Sequence, residues 1–181
     1  MGFVIFTGGA RSGKSALGLQ TAMDSGLPVV FIATAEALDD EMVRRIGLHR
    51  EERPAAWSTI EEPIDLGRAL DAAGDTSCIV LDCLSLWVSN LLFADVTEAD
   101  IEARAVAMAE RMATRPGPGV VVTNEVGSGI VPDNALARTY RDVLGRTNAM
   151  FAARADHAFL AVMGRVLALD RLDHALESPE R

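Results

Sequence analysis

The chain has 181 residues, 49% of them apolar and 24% charged, with a net charge of −9. That length supports one domain spanning residues 1–181 with a sizeable core. The acidic balance argues against nucleic-acid or anionic-membrane binding, and no apolar run reaches the ~18 residues of a membrane-spanning helix.

The first element is an apolar run of strand type over residues 3–7. It starts almost at the N-terminus, with no signal-peptide pattern ahead of it, so a soluble cytoplasmic protein is expected. The segment Gly8-Gly9-Ala10-Arg11-Ser12-Gly13-Lys14-Ser15 follows. It meets the phosphate-loop pattern G-x-x-x-x-G-K-[ST] at every required position. Lys14 is the single lysine among 17 lysines and arginines. A compact ammonium reaches between β- and γ-phosphates where a planar guanidinium would block the cradle. A helix begins behind it, at Ser15-Ala16-Leu17. Strand, glycine loop and helix together aim backbone N–H groups at one anion. This is a nucleotide-phosphate site.

Further strands are predicted over 29–33, 77–82, 119–124 and 158–162, with a weaker piece at 166–169. Most are continuous apolar runs, as a parallel sheet buried on both faces requires. Helices are predicted over 39–53, 63–73 and 84–93. Thr97 caps another, whose Ile101, Ala105, Met108 and Met112 share a face. Asp133 is read as the cap of the last long helix, where Leu136, Tyr140, Val143 and Phe151 recur at helical spacing. Trp87, Phe93 and Tyr140 are expected in the core. Cys78 and Cys83 lack metal spacing and read as buried free thiols. The fold expected is α/β: a three-layer P-loop NTPase domain with a mostly parallel sheet flanked by helices.

Val80-Leu81-Asp82 ends an apolar strand in an acid. Asp82 is therefore a candidate Walker B carboxylate, holding Mg²⁺ with Ser15, or else a strand-end cap. In the segment from Glu41 to Pro54, a helix would set Arg45, His49 and Arg53 on one face, with Pro54 marking its end. Residues alone leave two readings, a phosphate-facing histidine or a solvated helix. The acidic Asp39-Asp40-Glu41 cluster fits a helix N-terminus as well as it fits catalysis.

Several ordered motifs run the length of the domain. They are Thr7 to Ser15, Ile32-Ala33-Thr34-Ala35, Asp39 to Met42 leading into Arg45-Ile46-x-x-His49-x-x-x-Arg53-Pro54, Trp57-x-Thr59-x-Glu61, Asp82-Cys83-Leu84, and Val122-Thr123-Asn124-Glu125-Val126-Gly127-Ser128-Gly129-Ile130-Val131-Pro132. On these the chain resembles the bifunctional adenosylcobinamide kinase/adenosylcobinamide-phosphate guanylyltransferase family of cobalamin biosynthesis. Asp82 stands where some members carry Glu.

The resemblance implies an enzyme that phosphorylates adenosylcobinamide with ATP or GTP. It would then transfer GMP from GTP to adenosylcobinamide phosphate through a covalent histidine–GMP intermediate. His49 matches the nucleophile, with Lys14 and Arg45 as the other catalytic residues. Besides the P-loop, the resemblance places Thr34, Ala35, Glu36, Arg50, Glu51, Glu52, Arg53, Glu61 and Asp82 near the nucleotide. It also implies Mg²⁺ as cofactor and a homo-oligomer, a trimer. Two other readings stay compatible with the P-loop: a small-molecule kinase without guanylyl transfer, and a nucleotide-dependent regulatory switch.

Overall fold

Apolar side chains point alternately to two sides of the central strands, so both faces of the sheet must be covered. The computed structural model, which describes residues 2–37 and 40–171 with Arg45 as backbone only, shows how. The elements are β1 (Phe3–Gly8), α1 (Lys14–Asp24), β2 (Val29–Ala33), α2 (Asp40–Glu51), β3 (Ser58–Glu61), α3 (Leu66–Ala73) and β4 (Cys78–Asp82). They continue as α4 (Leu84–Phe93), α5 (Glu98–Thr114), β5 (Gly119–Val122), α6 (Ala135–Ala152), β6 (His157–Val162) and β7 (Arg165–Ala168). The strands form one sheet in the order β3-β2-β4-β5-β1-β6-β7. All neighbouring pairs are parallel except β6 and β7.

On one face Phe3, Ile5, Ile32, Ile79, Leu81 and Val121 pack under Leu66 of α3, Trp87 of α4, Ile101 of α5 and Leu144 of α6. On the other, Phe6, Phe31, Val80 and Val120 meet Leu19 and Ala22 of α1. The period-2 alternation of β1 thus feeds both cores from one short strand. Trp87 is 1% exposed, and its indole N–H donates to the Ile64 carbonyl at 2.9 Å, which satisfies the polar end of a buried ring. Arg146 binds Glu98 and Glu102, and Arg154 binds Glu110 one step further along, so α5 and α6 lie side by side and parallel. The pairing registers α6 so that its first two turns extend past the start of α5.

Several boundaries differ from the sequence reading. α2 ends at Glu51, so Arg53 sits in the turn before Pro54 rather than on the helical face of His49. The restriction that proline places on the preceding residue acts earlier than assumed. Asn134, not Asp133, caps α6, its side chain accepting from the Ala137 N–H at 3.1 Å. β3 was absent from the reading because Ser58-Thr59-Ile60-Glu61 has one apolar residue and lies mostly exposed at the sheet edge. Its pairing with β2 decides its state. Thr97 caps α5 as read, accepting from the Asp100 N–H. Cys78 and Cys83 are both free and buried.

Trp87 is core as expected, but Phe93 is 67% exposed. Together with Ser89, Leu92, Asn134, Leu136, Ala137 and Tyr140 it lines an apolar cavity of about 350 Å³ between α4 and α6. Among the described residues no helix is long and apolar enough to cross a membrane. Asp39 and His174 lie outside the described residues.

Candidate functional site

The P-loop joins β1 to α1 at the carboxyl edge of the sheet. Gly13 caps α1 with φ 92°, in the left-handed region that a side chain would strain. A Cβ there would also lie 2.9 Å from the Gly164 Cα. The Lys14 ammonium curls over the loop and donates to the Gly9 carbonyl at 3.2 Å. The Ser12 hydroxyl is buried with no hydrogen-bond partner. A loop lined with such groups is prepared for an anion.

Asp82 closes β4 beside this cradle. Ser15 donates a side-chain hydrogen bond to it. Burial pushes its carboxyl pKa up, opposed by the charge of His49, the Ser15 bond, Lys14 and Arg53. His49 is thus close enough for its charge to act on Asp82, as that of Lys14 does, although it comes from a different element of the chain. A half-buried carboxylate beside a hydroxyl is a pair of hard oxygens that suits Mg²⁺. Among the described residues no group of three or more His, Cys, Asp or Glu forms a metal cage. Mg²⁺ fits such a site because it takes one or two protein oxygens and relies on substrate phosphates and water for the rest.

α2 supplies the opposite wall. Its His49 Nδ1 lies 3.4 Å from Glu52 Oε2, and both side chains are about half exposed. A carboxylate at Nδ1 favours the proton there and leaves the Nε2 lone pair outward. Arg50 pairs with Glu61 of β3 at 2.5 Å, bridging helix and sheet edge. The Arg53 guanidinium stacks 3.5 Å above the Phe31 ring of β2. Burial lowers its pKa, Asp82 raises it and Arg50 lowers it further, and its Nε is buried without a partner. Glu51 and Glu36 are exposed, and Ala35 is half-buried. Arg45 lies on the same helix as His49, one turn earlier.

Thr34 behaves differently from its neighbours. It is 0% exposed, and its hydroxyl donates to the Cys83 carbonyl while accepting from the Cys83 N–H, both at 2.8 Å. Its own N–H and carbonyl go to Asp82 O and Asn90 Nδ2. Thr34 therefore clamps the β4–α4 junction behind Asp82. Asn124 extends the clamp by donating to Ser85 Oγ, and Asn148 donates to the Asn124 carbonyl. Buried Asn90 and half-buried Asn148 were missed in the sequence, and Asn124 entered only as part of a motif. The available signal was polar residues such as Asn90 inside an otherwise apolar helix. The Cys83 thiol is pushed up to about 11 and Tyr140 to about 12, both by burial, so neither is a base near neutral pH.

Glu62 was missed as well. It is 4% exposed and accepts from the N–H groups of Ile64 and Asp65 and from Arg68. It ties the β3–α3 turn and faces away from solvent, unlike the adjacent Glu61.

The arrangement can grip a triphosphate and present a histidine across from it. Comparison with known proteins gives the family. The chain is 41% identical to the bifunctional adenosylcobalamin biosynthesis protein CobP of Pseudomonas aeruginosa, over 91% of this chain and 95% of that protein. It is 42% identical to the bifunctional adenosylcobalamin biosynthesis protein CobU of Salmonella typhimurium, over 89% and 96%. The protein of that name from Escherichia coli is 40% identical over the same shares. A solved RadB recombinase is similar at a TM-score of 0.39 and 15% identity, covering 88% of this chain and 73% of that one. The family model described as cobinamide kinase / cobinamide phosphate guanyltransferase matches residues 4–169, and the chain belongs to that family.

Proposed function

We propose that this protein phosphorylates the alcohol of adenosylcobinamide and then transfers GMP from GTP to the resulting phosphate, with His49 as covalent carrier. The observation that supports this reading is the docking of the α2 arm beside the cradle: Arg53 stacks on Phe31 of β2, Arg50 pairs with Glu61 of β3, and the charges of His49 and Lys14 both act on Asp82.

In the kinase step the acceptor oxygen forms a bond to the γ-phosphorus. The β–γ bridge breaks, and the hydroxyl proton passes to solvent. The P-loop N–H groups and Lys14 stabilise charge on the transferring group. In the second step His49 Nε2 attacks the α-phosphorus and pyrophosphate leaves. Glu52 at Nδ1 stabilises the imidazolium that forms. The acceptor phosphate then displaces His49 from the same phosphorus. When bound at Ser15 and Asp82, Mg²⁺ would supply charge neutralisation to the phosphate oxygens. Arg45, Arg50 and Arg53 are assigned to nucleotide phosphate oxygens, and Ala35, Glu36, Glu51 and Glu61 to the nucleoside end. Thr34 is assigned to holding the Asp82 junction. A homotrimer in the cytoplasm belongs to the same proposal.

Intact mass after incubation with GTP and Mg²⁺ tests the carrier. The parent protein should gain one GMP, in an acid-labile and base-stable bond typical of a phosphoramidate. His49→Ala should gain none and lose guanylyl transfer by roughly 10³-fold or more, while corrinoid phosphorylation falls far less. An adduct persisting in His49→Ala would move the nucleophile elsewhere.

A further inference from the structure

The position of His49 has a consequence for how the two donors lie in the cradle, granted that His49 is the guanylyl carrier. In a P-loop the hydroxyl after the lysine and the strand-end acid hold the cation that bridges β- and γ-phosphates. Ser15 and Asp82 therefore mark the γ end of a kinase donor. The α2 arm stands over that end. Ala33 of β2 pairs with Asp82 on one side and with Glu61 on the other. Glu61 holds Arg50, and Arg53 stacks on Phe31 two residues before Ala33.

A kinase donor puts its γ-phosphorus at this end, so its nucleoside leaves away from Asp82. A guanylyl donor must put its α-phosphorus there to meet His49, with pyrophosphate filling the cradle. Its nucleoside then leaves on the α2 side. One phosphate grip, two transferred phosphorus atoms at the same place, and the nucleosides point in opposite directions.

The far side of the cradle carries a feature that the guanylyl step does not use. β6 pairs with β1 on the side opposite β5 and β4. Its two-residue turn into β7 rests on the P-loop, with the Gly164 N–H donating to the Ser12 carbonyl at 2.8 Å. Both turn residues have positive φ, 53° at Met163 and 73° at Gly164. Turns of this kind favour Asn-Gly, and the left-handed conformation is strained for a residue with a side chain. Here a methionine occupies the costly position and is 86% exposed, beside a 44% exposed Val162. Folding does not call for an apolar, adaptable thioether at that tip. A thioether does pack well against an aromatic face.

We propose that this protein has two nucleoside positions flanking one phosphate cradle. The purine of the kinase donor rests on the Met163-Gly164 turn, and the guanosine of the guanylyl donor lies towards α2 and β3.

Photocrosslinking separates the two. In one arm the protein with Mg²⁺ is irradiated with 8-azido-ATP. In the other, the GMP adduct is formed from 8-azido-GTP, freed of unbound nucleotide, then irradiated. The first label should fall in the tryptic fragment 155–165, and the second within residues 33–36 or 51–61. Both labels in one segment would overturn two positions while leaving His49 as carrier. No adduct at all would defeat the His49 reading, and this inference with it. A second measurement uses Met163→Glu, which changes an exposed tip. The KM for ATP in the kinase step should rise about fivefold, with the rate of adduct formation changed less than about twofold. Equal effects on both steps, or none on either, would remove the turn from the donor site.

Discussion

Glu61 and Glu62 are neighbours in sequence and belong to two different kinds of structure. Glu62 is buried and collects two backbone N–H groups and Arg68, whereas Glu61 is exposed and pairs with Arg50 of the α2 arm. The same division runs through the whole site. The wall built on β1, β2 and β4 is set by buried hydrogen bonds, with Thr34 alone holding both backbone groups of Cys83. The α2 wall is held by exposed ion pairs and by Arg53 on Phe31. Both chemical steps need the triphosphate cradle, so a rigid wall there serves both. In the proposed function the histidine serves one, and its arm would let a large corrinoid approach. Buried polar contacts are costly to break, while exposed ion pairs contribute little.

The largest effect should come from the rigid wall. Thr34→Val keeps the shape but leaves the Cys83 N–H buried without its partner and the Cys83 carbonyl with the Trp87 N–H alone. Denaturant unfolding should show a loss of about 2–3 kcal/mol. A loss under about 0.5 kcal/mol would mean that the clamp is not what holds Asp82 in place.

Glu62→Gln should cost less and in a pH-dependent way. Burial raises the Glu62 pKa, but the bond from Arg68 and the two backbone N–H groups outweigh it, so the net shift is downward. A carboxylate with a lowered folded pKa contributes stability above its unfolded value of 4.5, and that stability is lost as pH falls through the folded value. The variant should therefore be less stable by about 1–2 kcal/mol at pH 7, with the difference closing as pH drops below 4.5. A gap that is constant with pH would point to lost packing instead.

The smallest stability effect should come from the arm. Arg50→Ala removes an exposed ion pair and should change unfolding by less than about 1 kcal/mol, less still in high salt. Its functional effect should be selective, slowing GMP-adduct formation while leaving corrinoid phosphorylation near the parent rate. Equal slowing of both steps would mean that the arm also shapes the kinase site.

Much of this division was legible before folding. The P-loop could be read from eight consecutive residues because its chemistry is local: a glycine turn, a lysine and a hydroxyl within one strand–helix unit. The buried parallel strands were legible from apolar runs, and Asp82 from its place at the end of one. β3 was not, since an exposed edge strand carries no apolar signal and exists through its ladder with β2. Arg53 was placed on a helical face because periodicity does not show where a helix stops; the turn before Pro54 swings it onto Phe31 instead.

The sequence by itself determined the phosphate grip, the parallel α/β layering and the family, because each rests on short-range patterns of residue type. Only the tertiary structure decided that the α2 arm docks on β2 and β3 through Arg53 and Arg50, that Thr34 is a clamp, and that the Met163-Gly164 turn rests on the P-loop. Those relations join segments dozens of residues apart. They follow from strand order and register, which set which carboxyl ends lie side by side and which groups lose water together.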